Sequence, residues 1–145
     1  MVDTVQHFDV FELHVQNTRR TGVIVCDGID IKIKKNKTRI KAGHTTKAIG
    51  KINGDEEIDF NLLAAKDQPI IDELIKDDDD GILTTFTGIG KLGNTGTPAA
   101  VMRLDGAWFT EYDPKYESKK EVALTVNGGA LLFTKIKTQF PTLKT

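Results

Sequence analysis

VIVCDGIDIKIKKNKTRIK, residues 23–41, carries the pattern on which the fold turns. Two apolar runs, Val23-Ile24-Val25-Cys26 and Ile29-Asp30-Ile31-Lys32-Ile33-Lys34, flank Asp27-Gly28. β-branched side chains suit a pleated surface. An Asp-Gly pair between two such runs signals a tight hairpin, because that turn needs positive φ at both central positions. The spacing predicts two strands joined at Asp27-Gly28. In the second strand Ile29, Ile31 and Ile33 fall on the core side, and Asp30, Lys32 and Lys34 on the outer side. The strand then runs into a basic stretch: six of the ten residues 32–41 are Lys or Arg. Either this edge grips nucleic acid, or its charge has a partner inside the protein's own assembly.

Outward from this stretch, the apolar pattern fades from Lys35 to Gly50, which predicts a long polar connection containing Gly43, His44, Thr45 and Thr46. Unstructured connections of that length are uncommon in compact domains and usually have a role. Pairing resumes through Lys51-Ile52 and Asn53-Gly54, with Ile58, Phe60 and Leu62 alternating on one face. A helix is expected over residues 68–76, with Asp67 as its cap and Pro69 in the first turn. Ile70, Ile71, Leu74 and Ile75 form its apolar stripe. Asp77, Asp78, Asp79 and Asp80 oppose the helix dipole, which predicts a solvated loop closed by Gly81. Strands follow at residues 83–89, 100–112 and 121–126. Asn127-Gly128-Gly129 then reads as a turn into a last strand over 130–137. About seven strands and one helix make a mainly β chain, an antiparallel β-sandwich or barrel with one packed α-helix.

At 145 residues the chain has the size of a single domain, able to bury roughly two-thirds of its unfolded surface. Residues 1–21 read as an N-terminal arm, 22–137 as the core, and 138–145 as a tail. Net charge is −1, so the chain as a whole is no polyanion binder. Cys26 is the only cysteine; it has no disulfide partner or metal-ligand spacing and reads as a small buried hydrophobe. No apolar run approaches the ~20 residues that span a bilayer, and the start lacks a signal-peptide pattern.

Enzyme chemistry is excluded motif by motif. Gly88-Ile89-Gly90-Lys91-Leu92-Gly93 spells the dinucleotide fingerprint, but that fingerprint needs a helix beginning at the glycines. Asn94-Thr95-Gly96-Thr97-Pro98 follows, so a glycine-rich hairpin loop is the better reading. Leu92 also stands where a phosphate loop needs Ser or Thr. Asp77 to Asp80 match a calcium loop only in acidity, because the register that puts Gly81 sixth places Lys76 first and Thr87 last. His7, His14 and His44 lie far apart without carboxylate or thiol companions. No nucleophile elbow or zinc signature occurs. The chain reads as a non-enzyme without a cofactor or metal.

Charge distribution is what remains, and it is uneven. Residues 19–51 carry ten Lys or Arg against Asp27 and Asp30, net +8. Residues 55–80 carry eleven acids against Lys66 and Lys76, net −9. Internal neighbours pairing weakly at the surface would account for this. So would a basic surface of one subunit meeting the acidic surface of the next, a contact that builds a ring or a filament. The candidate interface residues are Lys32, Lys34, Lys35, Lys37, Arg39, Lys41 and His44 on the basic side. Asp77, Asp78, Asp79 and Asp80 are the acidic candidates.

The order of elements over residues 22–137 resembles the tail tube proteins of bacteriophages, a family that includes the inner tubes of contractile injection machines. The likeness lies in the early hairpin, the polar loop with Gly43-His44-Thr45-Thr46, the strand over 57–63, the helix with Ile70, Ile71, Leu74 and Ile75, and the strands that follow. The resemblance implies a virion structural protein: a β-sandwich subunit in a homo-hexameric ring, with rings stacked into a tube. Neighbouring inner sheets would join into a barrel around a lumen through which DNA passes without tight binding. It also implies sheath, baseplate and tail terminator proteins as partners, no membrane, and a place in the virion tail after assembly in the host bacterial cytoplasm. The rival is a monomeric nucleic-acid-binding β-barrel using residues 32–41. Such sites interleave aromatics for base stacking, and no Phe, Tyr or Trp occurs between Phe11 and Phe60.

Overall fold

The computed structural model describes residues 8–41, 48–92 and 96–136. These form β1 (Val10–Gln16), β2 (Thr21–Ile24), β3 (Gly28–Lys41), β4 (Ala48–Leu63), β5 (Ala65–Lys66), α1 (Pro69–Asp79), β6 (Thr84–Lys91), β7 (Ala99–Lys115), β8 (Ala123–Ala130) and β9 (Leu132–Lys135). All pairings are antiparallel, in the order β2-β1-β6-β7-β8-β4-β3, with β9 beside β7 and β5 beside β8. Strand β7 belongs to two layers. Its first half pairs with β6 and β9, and its second half, from Trp108, with β8. Between the halves Gly106 takes φ +65°, and the Leu131 side chain lies so close that a Cβ there would stand 2.6 Å from it. Only glycine permits both that backbone and that approach.

The two layers face each other across an apolar core. Leu13 and Val15 of β1, Phe86 of β6 and Leu104 of β7 meet Ile58, Phe60 and Leu62 of β4 and Leu124 and Val126 of β8. The Phe60 and Phe86 rings touch edge to face at 5.1 Å, the favoured geometry for an aromatic pair. The expected alternation of Ile58, Phe60 and Leu62 is thus the inner face of β4. The result is an open sandwich, not a closed barrel, because β2 and β3 end the strand order without pairing to each other.

Asp27-Gly28 is not a hairpin turn. β2 pairs with β1, and β3 with β4, from Gly28 opposite Leu63 to Lys41 opposite Ala48. The left-handed glycines among the described residues are Gly81 and Gly106; Gly28 is not one of them. The Asp27 N–H donates to the Leu63 carbonyl at 2.8 Å, so the dipeptide carries the chain from one layer to the other. Local turn chemistry lost to two longer pairings available elsewhere. The long connection expected over 35–50 is also mostly strand. Only residues 42–47, with Gly43, His44, Thr45 and Thr46, lie outside the described residues. The partner strand supplies what apolar alternation does not: Lys32 faces Asp59, Lys34 faces Glu57 and Lys35 faces Glu56. Part of the expected N-terminal arm is sheet as well, since β1 lies between β2 and β6.

Asn127-Gly128-Gly129 is strand, not turn. A Cβ at Gly128 would strike the Trp108 carbonyl and the Phe60 ring, and one at Gly129 the Trp108 indole at 2.6 Å. The glycines let Trp108 and Phe60 approach β8 closely. The last strand is consequently shorter than expected, starting at Leu132 after a kink at Leu131.

The helix begins and ends differently from its sequence reading. Gln68, in extended conformation, is the N-cap and its side chain does not cap. That amide instead accepts the Val25 N–H at 2.8 Å and donates to the Val25 carbonyl at 2.9 Å, mimicking one more strand residue beside the end of β2. Asp67 accepts the Tyr112 hydroxyl, which also donates to Asp72 at 2.7 Å. Ile71 and Leu74 are fully buried, with Ile70 and Ile75 packed beside them. At the other end the Gly81 N–H reaches the Asp78 carbonyl and the Ile82 N–H the Asp77 carbonyl, a Schellman closure with Gly81 at φ +84°.

Asp77, expected in a solvated loop, is fully buried in the last helical turn. Arg20 grips it with two donors, Nε at 2.7 Å and Nη2 at 3.0 Å, while Arg19 Nη1 and Asn17 Nδ2 add bonds at 3.2 and 2.9 Å. Asn17 Oδ1 in turn accepts the N–H groups of Arg19 and Arg20, fixing the β1–β2 turn. Arg20 also meets Glu73, and Arg19 meets Asp80 at 2.6 Å. A buried carboxylate at the unfavourable end of a helix dipole survives because two guanidinium groups surround it. The Arg20 bonds lead in holding its pKa at about 2, below the ordinary 3.8.

Gly28→Ala should leave the melting temperature within about 2 °C of wild type, because the new Cβ meets only Leu63 Cδ1, at 3.5 Å. Gly106→Ala should cost roughly 1–3 kcal/mol in denaturant unfolding, from left-handed backbone and the clash with Leu131. For Asp77 the folded pKa lies below the unfolded one, so its stabilisation is full above pH 3.8 and is lost as pH falls toward about 2. Thermal scans across that window should show a falling midpoint for wild type. Asp77→Asn should start lower at neutral pH and fall less steeply; equal slopes would remove the clamp from the acid response.

Candidate assembly surface

The basic candidates lie on the outermost strand of the sheet. Lys32, Lys34, Lys35 and Lys37 are exposed on β3, and the register continues through Arg39 and Lys41. His44 lies outside the described residues. On its inner side β3 pairs with β4; on its outer side no strand pairs among the described residues. Ile29 and Ile31 pack toward the core as the alternation requires, whereas Ile33, on the same face, stays 40% exposed.

Beyond the sheet this hairpin stands alone. β4 pairs with β8 only from Ile58 to Asn61, so the ribbon past Lys34 and Glu57 has no third strand among the described residues. Lys35 Nζ is 4.0 Å from Glu56, an exposed pair of little net worth. Further out the register places Arg39 opposite Lys51. A two-stranded ribbon is marginal in water by itself.

The acidic candidates divide. Asp77 is buried in its Arg19–Arg20 clamp, and Asp80 is bonded to Arg19. Asp78 accepts the Phe109 N–H at 3.3 Å, tying the helix to β7. Asp79 is exposed at the last helical residue. Among the described residues the basic and acidic candidates are therefore not brought together within one chain; the charge pairing seen there runs through Arg19, Arg20 and the β3–β4 register. Asn17 and Thr84, bonded to each other at 3.3 Å within the clamp, were not legible as such. The available signal was spacing: Asp77 falls three residues after Leu74, on the apolar stripe.

The remaining motifs resolve into packing. Gly88 and Gly90 sit within β6, where a Cβ would meet Met102 Sδ at 2.7 Å and the Phe8 ring at 2.9 Å. They make room for Phe8, Phe11 and Met102, not for a phosphate. His7 lies outside the described residues. His14 Nε2 is 3.0 Å from Glu12, whose pKa is lowered first by that bond and then by Lys91. Cys26 is half-buried, and burial raises its thiol pKa. Among the described residues no three His, Cys, Asp or Glu side chains gather as metal ligands would, and no helix is long and apolar enough to cross a membrane.

No protein-family model matches this sequence, and no curated protein matches it. Solved structures do share its fold. A chain of the anti-feeding prophage baseplate, solved by cryo-electron microscopy with six-fold symmetry, superposes with a TM-score of 0.63 at 9% identity, over 94% of this chain and 97% of that one. A chain of the native gene transfer agent virion gives 0.58 at 11% identity, over 86% and 95%. A chain of the sheath–tube complex of an extracellular contractile injection system, PVC, gives 0.51 at 13% identity, over 90% and 93%. The resemblance to tail tube proteins thus holds at the level of fold: this chain has the tail-tube-like architecture found in phage-tail-like and contractile injection particles.

Proposed function

We propose that this chain is a structural, non-enzymatic subunit of a phage-tail-like particle, one that assembles with copies of itself into hexameric rings stacked as a tube. The observation that carries the reading is the outer edge of β3, fourteen residues long and unpaired among the described residues. Long flat edges are normally blunted or covered, and this one continues into a ribbon that no third strand supports among the described residues. A neighbouring copy supplies both a pairing edge and carboxylates for Lys34, Lys35, Lys37, Arg39 and Lys41. The six-fold baseplate likeness over nearly the whole chain supports that reading.

In this proposal the layer containing β7's second half, β8, β4 and β3 joins its neighbours around a lumen, and DNA passes without tight binding. Sheath, baseplate and terminator proteins would be its partners, with assembly in the bacterial cytoplasm and residence in the virion tail. Exposed carboxylates such as Asp79 are better placed for a neighbour's lysines than Asp77, which is engaged inside its own chain.

Negative-stain microscopy over a rising concentration series should show rings or tubes; a monomer at every concentration would refute the proposal. The variant Lys34→Gln, Lys35→Gln, Lys37→Gln removes charge without setting like charges across the β3–β4 register. It should keep the wild-type melting temperature within about 2 °C while raising the concentration for assembly about tenfold or more. Were the stretch a nucleic-acid grip instead, oligomeric state would be untouched and the salt slope of DNA binding would fall by about three.

A further inference from the structure

We propose that Gln68 makes an autoinhibitory contact at a sheet edge: its side-chain amide stands in for a strand and keeps β2 closed to pairing with a second copy. The inference does not depend on the self-assembly proposed above, because it concerns the opposite end of the strand order. That order ends at β3 and at β2. By composition β2 is the more hazardous end. Thr21-Gly22-Val23-Ile24-Val25-Cys26 holds no charge and no proline, and its register with β1 has no bulge. Charges, prolines and bulges are the usual guards of an edge. An uncharged run rich in β-branched residues is the kind that templates strand addition. Val23 is 44% and Val25 67% exposed. Arg20, the flanking cation, is turned onto Asp77 and Glu73.

Gln68 supplies the guard that the strand lacks. The register of β2 with β1 stops at Ile24 opposite Leu13, and the next residue gives both of its backbone groups to the amide. Gln68 Oε1 accepts the Val25 N–H at 2.8 Å, and Nε2 donates to the Val25 carbonyl at 2.9 Å. That is the paired exchange one residue makes with its opposite in an antiparallel ladder. Nε2 also donates to the Lys66 carbonyl at 2.8 Å, so the amide is held from behind. The backbone on either side is fixed as well. Lys66 pairs with β8, the Asp67 N–H donates to the Val122 carbonyl, and Pro69 opens α1. A strand approaching Val25 finds its N–H and carbonyl already taken, and is left with the four residues of β2.

Helix capping does not explain this side chain. Gln68 occupies the N-cap in extended backbone, φ −154° and ψ 148°, yet makes no capping bond. That position favours Ser, Thr, Asp or Asn, whose short side chains reach the first helical N–H groups. The longer amide reaches Val25 instead. The strand order is therefore open at β3 among the described residues and plugged at β2.

Gln68→Ser tests this in the full chain, because it removes the contact while placing a good cap at the start of α1. Hydrogen exchange at the Val25 amide should quicken about tenfold or more while the Leu74 amide stays as in wild type. In sedimentation velocity, at concentrations where wild type is monomeric, the variant should form larger species. Gln68→Asn, one methylene shorter and also a cap, should behave alike. Adding Val25→Lys puts a charge on the bared edge. It should restore wild-type sedimentation while the backbone amide at position 25 still exchanges fast. An unchanged Val25 exchange rate would mean that Gln68 does not hold the edge. Fast exchange without association would reduce Gln68 to a tie between β2 and α1. Either result overturns the inference, and so does association that Val25→Lys leaves in place, which is what aggregation through unfolding would give.

Discussion

The geometry of this protein depends on the turn of β7 at Gly106. A single strand runs from Ala99 to Lys115 and serves both layers, so the layers cannot be placed independently. β8 and β9 must follow β7 round the same corner, and they do so with a kink at Leu131, whose side chain occupies the space that a Cβ at Gly106 would need. Phe60 and Phe86 then meet across the gap, which fixes how far apart the layers stand. The two open sides of the sandwich are unequal as a result. One is closed by the α1 stripe and locked by Asp77 between Arg19 and Arg20; the other holds Phe8 and Phe11 beside an open groove.

What could be read from the sequence was the chemistry that acts through short periods. Ile58-Asp59-Phe60-Asn61-Leu62 announces a half-buried strand because period two is a property of the strand itself. Ile70, Ile71 and Leu74 announce a helix face for the corresponding reason. Pairing partners were less legible, because they are chosen by contacts between distant segments. Asp27-Gly28 has the chemistry of a hairpin turn, yet β2 and β3 find longer partners in β1 and β4. Asn127-Gly128-Gly129 has the composition of a turn, yet the glycines are required by Trp108 and Phe60 lying against β8. In both cases a local preference worth little gave way to a tertiary contact that no window of sequence contains.

The charge blocks had two readings in sequence, and the structure engages part of them within the chain. Arg19 and Arg20 act internally, while the lysines of β3 nearest the sheet stand opposite carboxylates of β4 in the register and remain exposed. Asp77 was the least legible of the candidates. In a run of four aspartates, composition indicates solvent, whereas its spacing from Leu74 indicates the core. The spacing prevailed because Arg20 could meet it with two parallel bonds, a geometry that offsets the cost of desolvating a carboxylate.

The outer part of β3 is where internal pairing runs out. Its first residues have β4 on one side and a carboxylate across from each lysine, whereas past the Lys35–Lys37 irregularity the register brings Lys37 opposite Asn53 and Arg39 opposite Lys51. A chain that had only to remain soluble and monomeric could end this hairpin at Glu57, where β8 stops supporting β4. Extending it by several residues per strand adds backbone ordering cost. Such a ribbon is stable when another surface supplies the third strand or the counter-charge. The same reasoning applies to Ile33, an apolar residue on the core face of β3 left partly uncovered beside the groove. In the assembly proposed above, a neighbouring copy would supply what the outer part of this hairpin lacks within its own chain.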